Sequence, residues 1–112
     1  MKKIILISQN KNDIESIMKK CFSSSVYCFE SPYIKKIEKP NYKMTIIIAE
    51  KEYLRIRSNL TLTIIAEETD NKTTVEVISS GGKNDIGFSL GAEKHAVRSI
   101  VKFLEEYGFA EQ

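Results

Sequence analysis

Residues Leu60–Ser80 read LTLTIIAEETDNKTTVEVISS. Leu62, Ile64 and Ala66 alternate with Thr61, Thr63 and Ile65, and Val75 and Val77 alternate with Thr74, Glu76 and Ile78. Apolar residues at a period of two are the pattern of a strand with one covered face. Asp70-Asn71 supplies the turn between the runs, so Leu60–Glu68 and Lys72–Ser80 are expected as an antiparallel hairpin. Such a hairpin keeps one face on a core and leaves the other more open. It also breaks any regular alternation of strand and helix, which excludes a doubly wound parallel sheet.

Upstream of the hairpin, Tyr42–Arg57 is rich in β-formers but interrupted by Glu50-Lys51-Glu52. One long strand with a bulge, or two strands in tight succession, fits that pattern. The chain opens with a strand at Lys3–Ser8. A helix over Lys11–Phe22 follows, with Asn10 or Asn12 as its cap. Within it Ile14, Ile17, Met18 and Cys21 recur at helical spacing and make one apolar stripe. A short strand is expected near Ser25–Glu30, and Ser31-Pro32 and Lys39-Pro40-Asn41 mark an irregular, basic connection.

Downstream, Gly81-Gly82 closes the hairpin and Ile86–Leu90 is a short extended piece. The last helix spans about Ala92 to Tyr107, with Ala96, Val97, Ile100, Val101, Leu104 and Tyr107 on its buried face. Gly108 stands where a left-handed residue ends a helix, and Phe109 follows where it touches Leu104, the Schellman pattern. The order β-α-β-β-β-β-α implies an α+β, two-layer domain over residues 1–112. Its antiparallel sheet of about five strands carries both helices on one face.

Composition narrows the function classes. The 112 residues are 42% hydrophobic and 29% charged, a globular rather than disordered balance. A formal net charge of +2 argues against a dedicated nucleic-acid domain, which shows a strongly basic face. The opening Lys2-Lys3-Ile4-Ile5-Leu6-Ile7 superficially resembles a signal peptide, but its apolar run stops at Ser8-Gln9-Asn10. No stretch approaches the ~20 apolar residues of a membrane span. Cys21 and Cys28 form no C-x-x-C pair and lack partners for a zinc site, so both read as reduced, buried thiols in a cytoplasmic protein.

No catalytic constellation, metal site or cofactor motif emerges. The start superficially resembles a two-component receiver, but Ser8 and Gln9 stand where that family carries an acidic pair. Its third-strand analogue runs into Glu50 rather than an aspartate. Gly81-Gly82-Lys83-Asn84 lacks the spacing of a phosphate-binding loop. His95 is the single histidine, with no nucleophile marked beside it. Glu67 and Glu68, adjacent on a strand, point to opposite faces and do not converge.

The second half carries a more specific signal: Tyr53-Leu54-Arg55-Ile56-Arg57, Leu60-Thr61-Leu62-Thr63-Ile64, Val77-Ile78-Ser79-Ser80-Gly81-Gly82, Phe88, Gly91-Ala92-Glu93 and Tyr107-Gly108-Phe109. These residues resemble a small bacterial family described as a domain of unknown function. The likeness holds from Tyr42 onward and extends over residues 1–41 in element order only. The resemblance implies no activity. The β-α-β4-α order is similar to the TATA-binding-protein-like fold, and fold alone assigns no function.

Two surfaces are candidates for binding. Strand one is apolar on both faces, as is Ile46-Ile47-Ile48, and the hairpin keeps Ile65 and Ile78 opposite its core residues. Two helices on one face cannot bury both sets. Ile5, Ile7, Ile47, Ile65 and Ile78 are therefore expected on an open sheet face that forms a homodimer or holds an apolar small molecule. The alternative is a nucleic-acid or anionic-ligand contact through Tyr53, Arg55 and Arg57, basic residues interleaved with an aromatic. Gly91 and Ala92, expected to open the last helix, would add free amides to that site.

Overall fold

The computed structural model describes residues 2–9, 13–23, 30–53, 58–81 and 89–112. Its strands are β1 (Lys2–Ser8), β2 (Glu30–Lys39), β3 (Tyr42–Tyr53), β4 (Ser58–Thr69), β5 (Thr73–Gly81) and β6 (Ala110–Glu111). Its helices are α1 (Ile14–Ser23) and α2 (Ser89–Glu105). The strands form one six-stranded sheet in the order β2-β3-β4-β5-β1-β6. Every neighbouring pair is antiparallel. The α+β class and the β-α-β-β-β-β-α order are those the sequence implies; β6, two residues long, is added at the far edge.

The β4–β5 hairpin forms as expected, with the Thr69 amide donating to the Lys72 carbonyl at 2.9 Å across the turn. Leu60, Leu62, Ile64 and Ala66 of β4 and Val75 and Val77 of β5 are all buried. They join Ile4 and Leu6 of β1, Ile14, Ile17, Met18, Cys21 and Phe22 of α1, and Val97, Ile100, Val101 and Leu104 of α2 in one core. Both helices therefore cover the same face of the sheet. Burial of this kind is worth about 1.5–3 kcal/mol per large side chain, and the core is where the fold gains its stability.

The ends of α2 and α1 follow local chemistry. Gly108 takes a left-handed φ of 92°. Its amide donates to Glu105 and the Phe109 amide to Leu104 at 3.3 Å, while Phe109 and Leu104 are both buried. That is the Schellman closure with its apolar contact. α1 is capped by Asp13, whose carboxylate accepts from the Ser16 amide at 3.4 Å and the Ser16 hydroxyl at 2.9 Å. Asp13 takes the place expected of Asn10 or Asn12, both outside the described residues: it immediately precedes Ile14, and its carbonyl accepts the first helical bond from the Ile17 amide at 3.1 Å.

Other expectations change. The basic stretch after Ser31-Pro32 is not an irregular connection but the edge strand β2, paired with β3 from Glu30 to Lys39. An edge strand tolerates Pro32 where the register shifts, and its lysines leave an outer rim that resists pairing with other chains. Pro40 and Asn41 make the turn, Asn41 adopting a left-handed φ of 64° that asparagine accepts more readily than most residues. β3 is one unbroken strand through Glu50-Lys51-Glu52, in continuous register from Tyr42↔Thr69 to Tyr53↔Ser58, with no bulge. α2 starts at Ser89 rather than Ala92, so Ser89-Leu90 is helical instead of extended. The expected strand over Ser25–Glu30 lies outside the described residues except at Glu30.

α1 is tied to the edge strand by charge. Lys36, on the covered side of β2 with Ile34, meets Glu15 at 2.9 Å, and Lys19 meets the same carboxylate at 3.1 Å. Lys36 first, then Lys19, holds the Glu15 carboxyl below its ordinary 4.5. A carboxylate with a lowered folded pKa adds stability that is present above its ordinary pKa and lost as pH falls through the folded one. Lys36→Met is expected to flatten the loss of stability between about pH 5 and pH 3. Denaturant melts of both proteins across that range check it; curves of identical pH dependence would contradict it.

Candidate functional site

The uncovered face can be built from the pairings. One row across it runs Tyr33, Ile48, Thr63, Ile78, Lys3; the next Lys35, Ile46, Ile65, Glu76, Ile5; the third Ile37, Met44, Glu67, Thr74, Ile7. Tyr33 is 60%, Ile37 39% and Ile48 37% exposed, the large apolar side chains most open to solvent among the described residues. Met44, Ile46, Ile65, Ile78, Ile5 and Ile7 are half-buried. Among the described residues, neither helix reaches this side.

β3 shows what is unusual. Its covered face carries Thr45, Ile47 and Ala49, all buried, while its uncovered face carries Met44, Ile46 and Ile48. The bulkier apolar set thus faces away from the helices. The same strand buries the Thr45 hydroxyl with no hydrogen-bond partner among the described residues, a cost of about 1–3 kcal/mol. Strand β3 is poorly matched to a core on its covered side and well matched to a second apolar surface on the other.

Polar groups interrupt the apolar face without dividing it. Lys3 and Glu76 pair at 3.4 Å, and the Tyr42 hydroxyl donates to Glu67 at 2.9 Å. The Glu67 carboxylate is also what raises the Tyr42 phenol above its ordinary pKa. A separate cleft of about 340 Å³ lies at the end of the sheet, between the β2–β3 and β4–β5 turns. Its walls are Glu38, Lys39, Asn41, Tyr42, Lys43, Glu68, Thr69 and Asp70. Carboxylates and ammonium groups alternate there, so the cleft offers no field of one sign to a charged ligand.

Reactive groups are scarce among the described residues. No cluster of three metal-ligating side chains occurs there. Cys21 is a free thiol inside the core, and burial pushes its pKa up to about 12. A thiol so rarely ionised is neither a nucleophile nor a metal ligand at neutral pH. No described helix is long and apolar enough to cross a membrane.

The residues expected at the open face divide. Ile5, Ile7, Ile65 and Ile78 lie on the uncovered side, brought together by the β1–β5–β4 pairing. Ile47 does not: it is 1% exposed and part of the core. Its neighbours Ile46 and Ile48 take the open positions, because Ile46 pairs with Ile65 and so shares its face. Tyr33, Ile37 and Met44 complete the face; no local pattern marks them, and the pairing of β3 with β4 and β2 is the signal that finds them. Of the expected anion site, Tyr53 ends β3 opposite Ser58, whereas Arg55 and Arg57 lie outside the described residues. Gly91 and Ala92 fall within the first turn of α2 and do not open it, since the helix begins two residues before Gly91. His95 lies on the same helix. Cys28 and the Gly82-Lys83-Asn84 segment also lie outside the described residues.

A family model described as "Family of unknown function (DUF6054)" matches residues 7–108. The chain belongs to this family. The match runs from β1 to the end of α2, so the family likeness extends well upstream of Tyr42. No curated protein and no solved structure matches the chain.

The Thr45 hydroxyl, without a partner among the described residues, yields a direct expectation. Thr45→Val keeps the side-chain shape, removes the buried polar atom and suits a strand, so it should stabilise the protein by about 1 kcal/mol. Chemical denaturation measures this; a loss of stability would mean that the hydroxyl has a partner.

Proposed function

We propose that the chain is a non-enzymatic binding and assembly module whose contact surface is the uncovered face of its sheet. The observation that carries this reading is the inverted loading of β3, with Met44, Ile46 and Ile48 turned away from the helices and Thr45, Ile47 and Ala49 turned toward them. With Tyr33, Ile37, Ile65 and Ile78 these side chains make a contiguous apolar surface spread over four strands. Monomeric proteins seldom leave such surfaces in water, and where they exist a partner commonly covers them.

The shape of the surface favours a macromolecular partner over an apolar small molecule. Small-molecule sites are concave and enclose most of the ligand, whereas this surface is a broad sheet face and the cleft beside it is lined with charge. The unreactive interior thiol of Cys21 fits a reducing, cytoplasmic setting.

Ile65→Asp combined with Ile78→Asp places two charges on the face without touching a buried core position. Native mass spectrometry of protein purified gently from its own host should show wild-type chains carrying additional mass, a partner or a second copy. The double variant should fly as a bare chain with an unchanged circular dichroism spectrum. Bare chains in both samples would contradict the reading.

A further inference from the structure

We infer that the occupant of the open face is a second copy of this chain, packed sheet on sheet about a two-fold axis that runs parallel to the strands between β3 and β4. This rests on the open-face reading and adds the partner and its register. A homodimer interface must be complementary to itself, and the three rows across the face allow each candidate axis to be scored by what it sets opposite what.

An axis perpendicular to the strands, through the middle row, sets each residue of that row against its own copy. Lys35 then faces Lys35 and Glu76 faces Glu76, a like-charge arrangement that opposes association. An axis along β4 places Ile46 over the partner's Glu76 and leaves an ionised carboxylate under an apolar side chain. An axis along the strands between β3 and β4 removes the like-charge pairs and clears the middle row of carboxylate under isoleucine; its one apolar–carboxylate contact falls in the third row, where Met44 meets the partner's Glu67, a carboxylate to which the Tyr42 hydroxyl already donates. β3 then lies over the partner's β4 and β2 over the partner's β5. Ile46 meets the partner's Ile65, Tyr33 meets the partner's Ile78, and Lys35 meets the partner's Glu76. Each contact occurs twice by symmetry, so one register yields two Ile46–Ile65 pairs at its centre, with two Tyr33–Ile78 pairs and two opposite-charge pairs nearer its edges.

The extent of the face is adequate. Four overlapping strands at about 4.8 Å spacing and eight residue steps at about 3.4 Å cover a plane of roughly 19 by 27 Å. Side-chain relief raises its accessible area toward the roughly 600–1,000 Å² per partner of stable interfaces. Aligned sheet packing, with strands inclined by about 30°, is a common geometry for two sheets face to face. The alternative of joining edges through β2 is opposed by the exposed Lys35, Lys36 and Lys39 on that strand.

Sedimentation equilibrium on the full chain tests the inference through a charge exchange. Wild type should be dimeric at about 100 μM. Lys35→Glu should weaken the dimer at least about tenfold, because two like-charge contacts replace two attractive ones. Lys35→Glu with Glu76→Lys should return the affinity to within a few-fold of wild type. Both positions are solvent-accessible, so the fold is expected to tolerate the exchange, which an unchanged circular dichroism spectrum checks. A wild-type monomer at that concentration overturns the second copy and leaves the face to another partner. A dimer that ignores the charge exchange but dissociates with Ile46→Asp overturns this register alone. A dimer indifferent to all three substitutions overturns the open-face reading with it.

Discussion

Successive side chains of a β-strand point to opposite faces, and two helices packed on one side of a sheet can cover only one of them. Everything else in this protein follows from how its strands meet that constraint. β4 and β5 meet it in the ordinary way, with leucine, isoleucine, alanine and valine under the helices and largely polar residues opposite, apart from Ile65 and Ile78. β1 and β3 do not, since each carries large apolar side chains on both faces. The continuous pairing from β3 through β4 and β5 to β1 then gathers the surplus into one patch. The apolar surface is a consequence of register rather than of any single residue.

The helices fix which face is which. α2 carries Val97, Ile100, Val101 and Leu104 into the core, and its Schellman ending turns Phe109 in beneath it before β6 joins β1. Arg98 and Glu111, 3.7 Å apart, add a link between the helix and that last strand. α1 covers the other half of the sheet through Ile14, Ile17, Met18, Cys21 and Phe22 and is held at the edge by Glu15 and Lys36. With both helices committed to one side, the opposite side depends on something outside the described residues to leave water.

Much of this was legible in the sequence where the pattern was locally complete. The β4–β5 hairpin, the stripe of α1 and the helix ending at Gly108-Phe109 are each specified by residues within a few positions of one another. What escaped depended on partners distant in sequence. Ile46-Ile47-Ile48 has no alternation of its own, so nothing local tells which of the three turns inward; the pairing Ile46↔Ile65 decides it. Residues Tyr33–Lys39 look like a connection because Pro32 and Pro40 bracket them and three of the seven are lysines, and their place at the sheet edge makes them a strand. β6 is too short for any periodicity and exists because the chain leaving α2 passes beside β1. Of the anion site expected at Tyr53, Arg55 and Arg57, only Tyr53, the last residue of β3, falls within the described residues.

The central claim is that a second copy of the chain covers the uncovered sheet face, and isoleucine methyl NMR with a soluble paramagnetic chelate tests it most directly. Ile46 and Ile47 are adjacent in sequence yet lie on opposite faces, so each spectrum carries its own control. The account predicts that, as the chain is concentrated from micromolar to millimolar, the methyls of Ile46, Ile48, Ile65 and Ile78 become protected from the chelate, while those of Ile47 and Ile64 stay protected throughout. Equal broadening of the open-face methyls at every concentration, with Ile47 and Ile64 still protected, would contradict it.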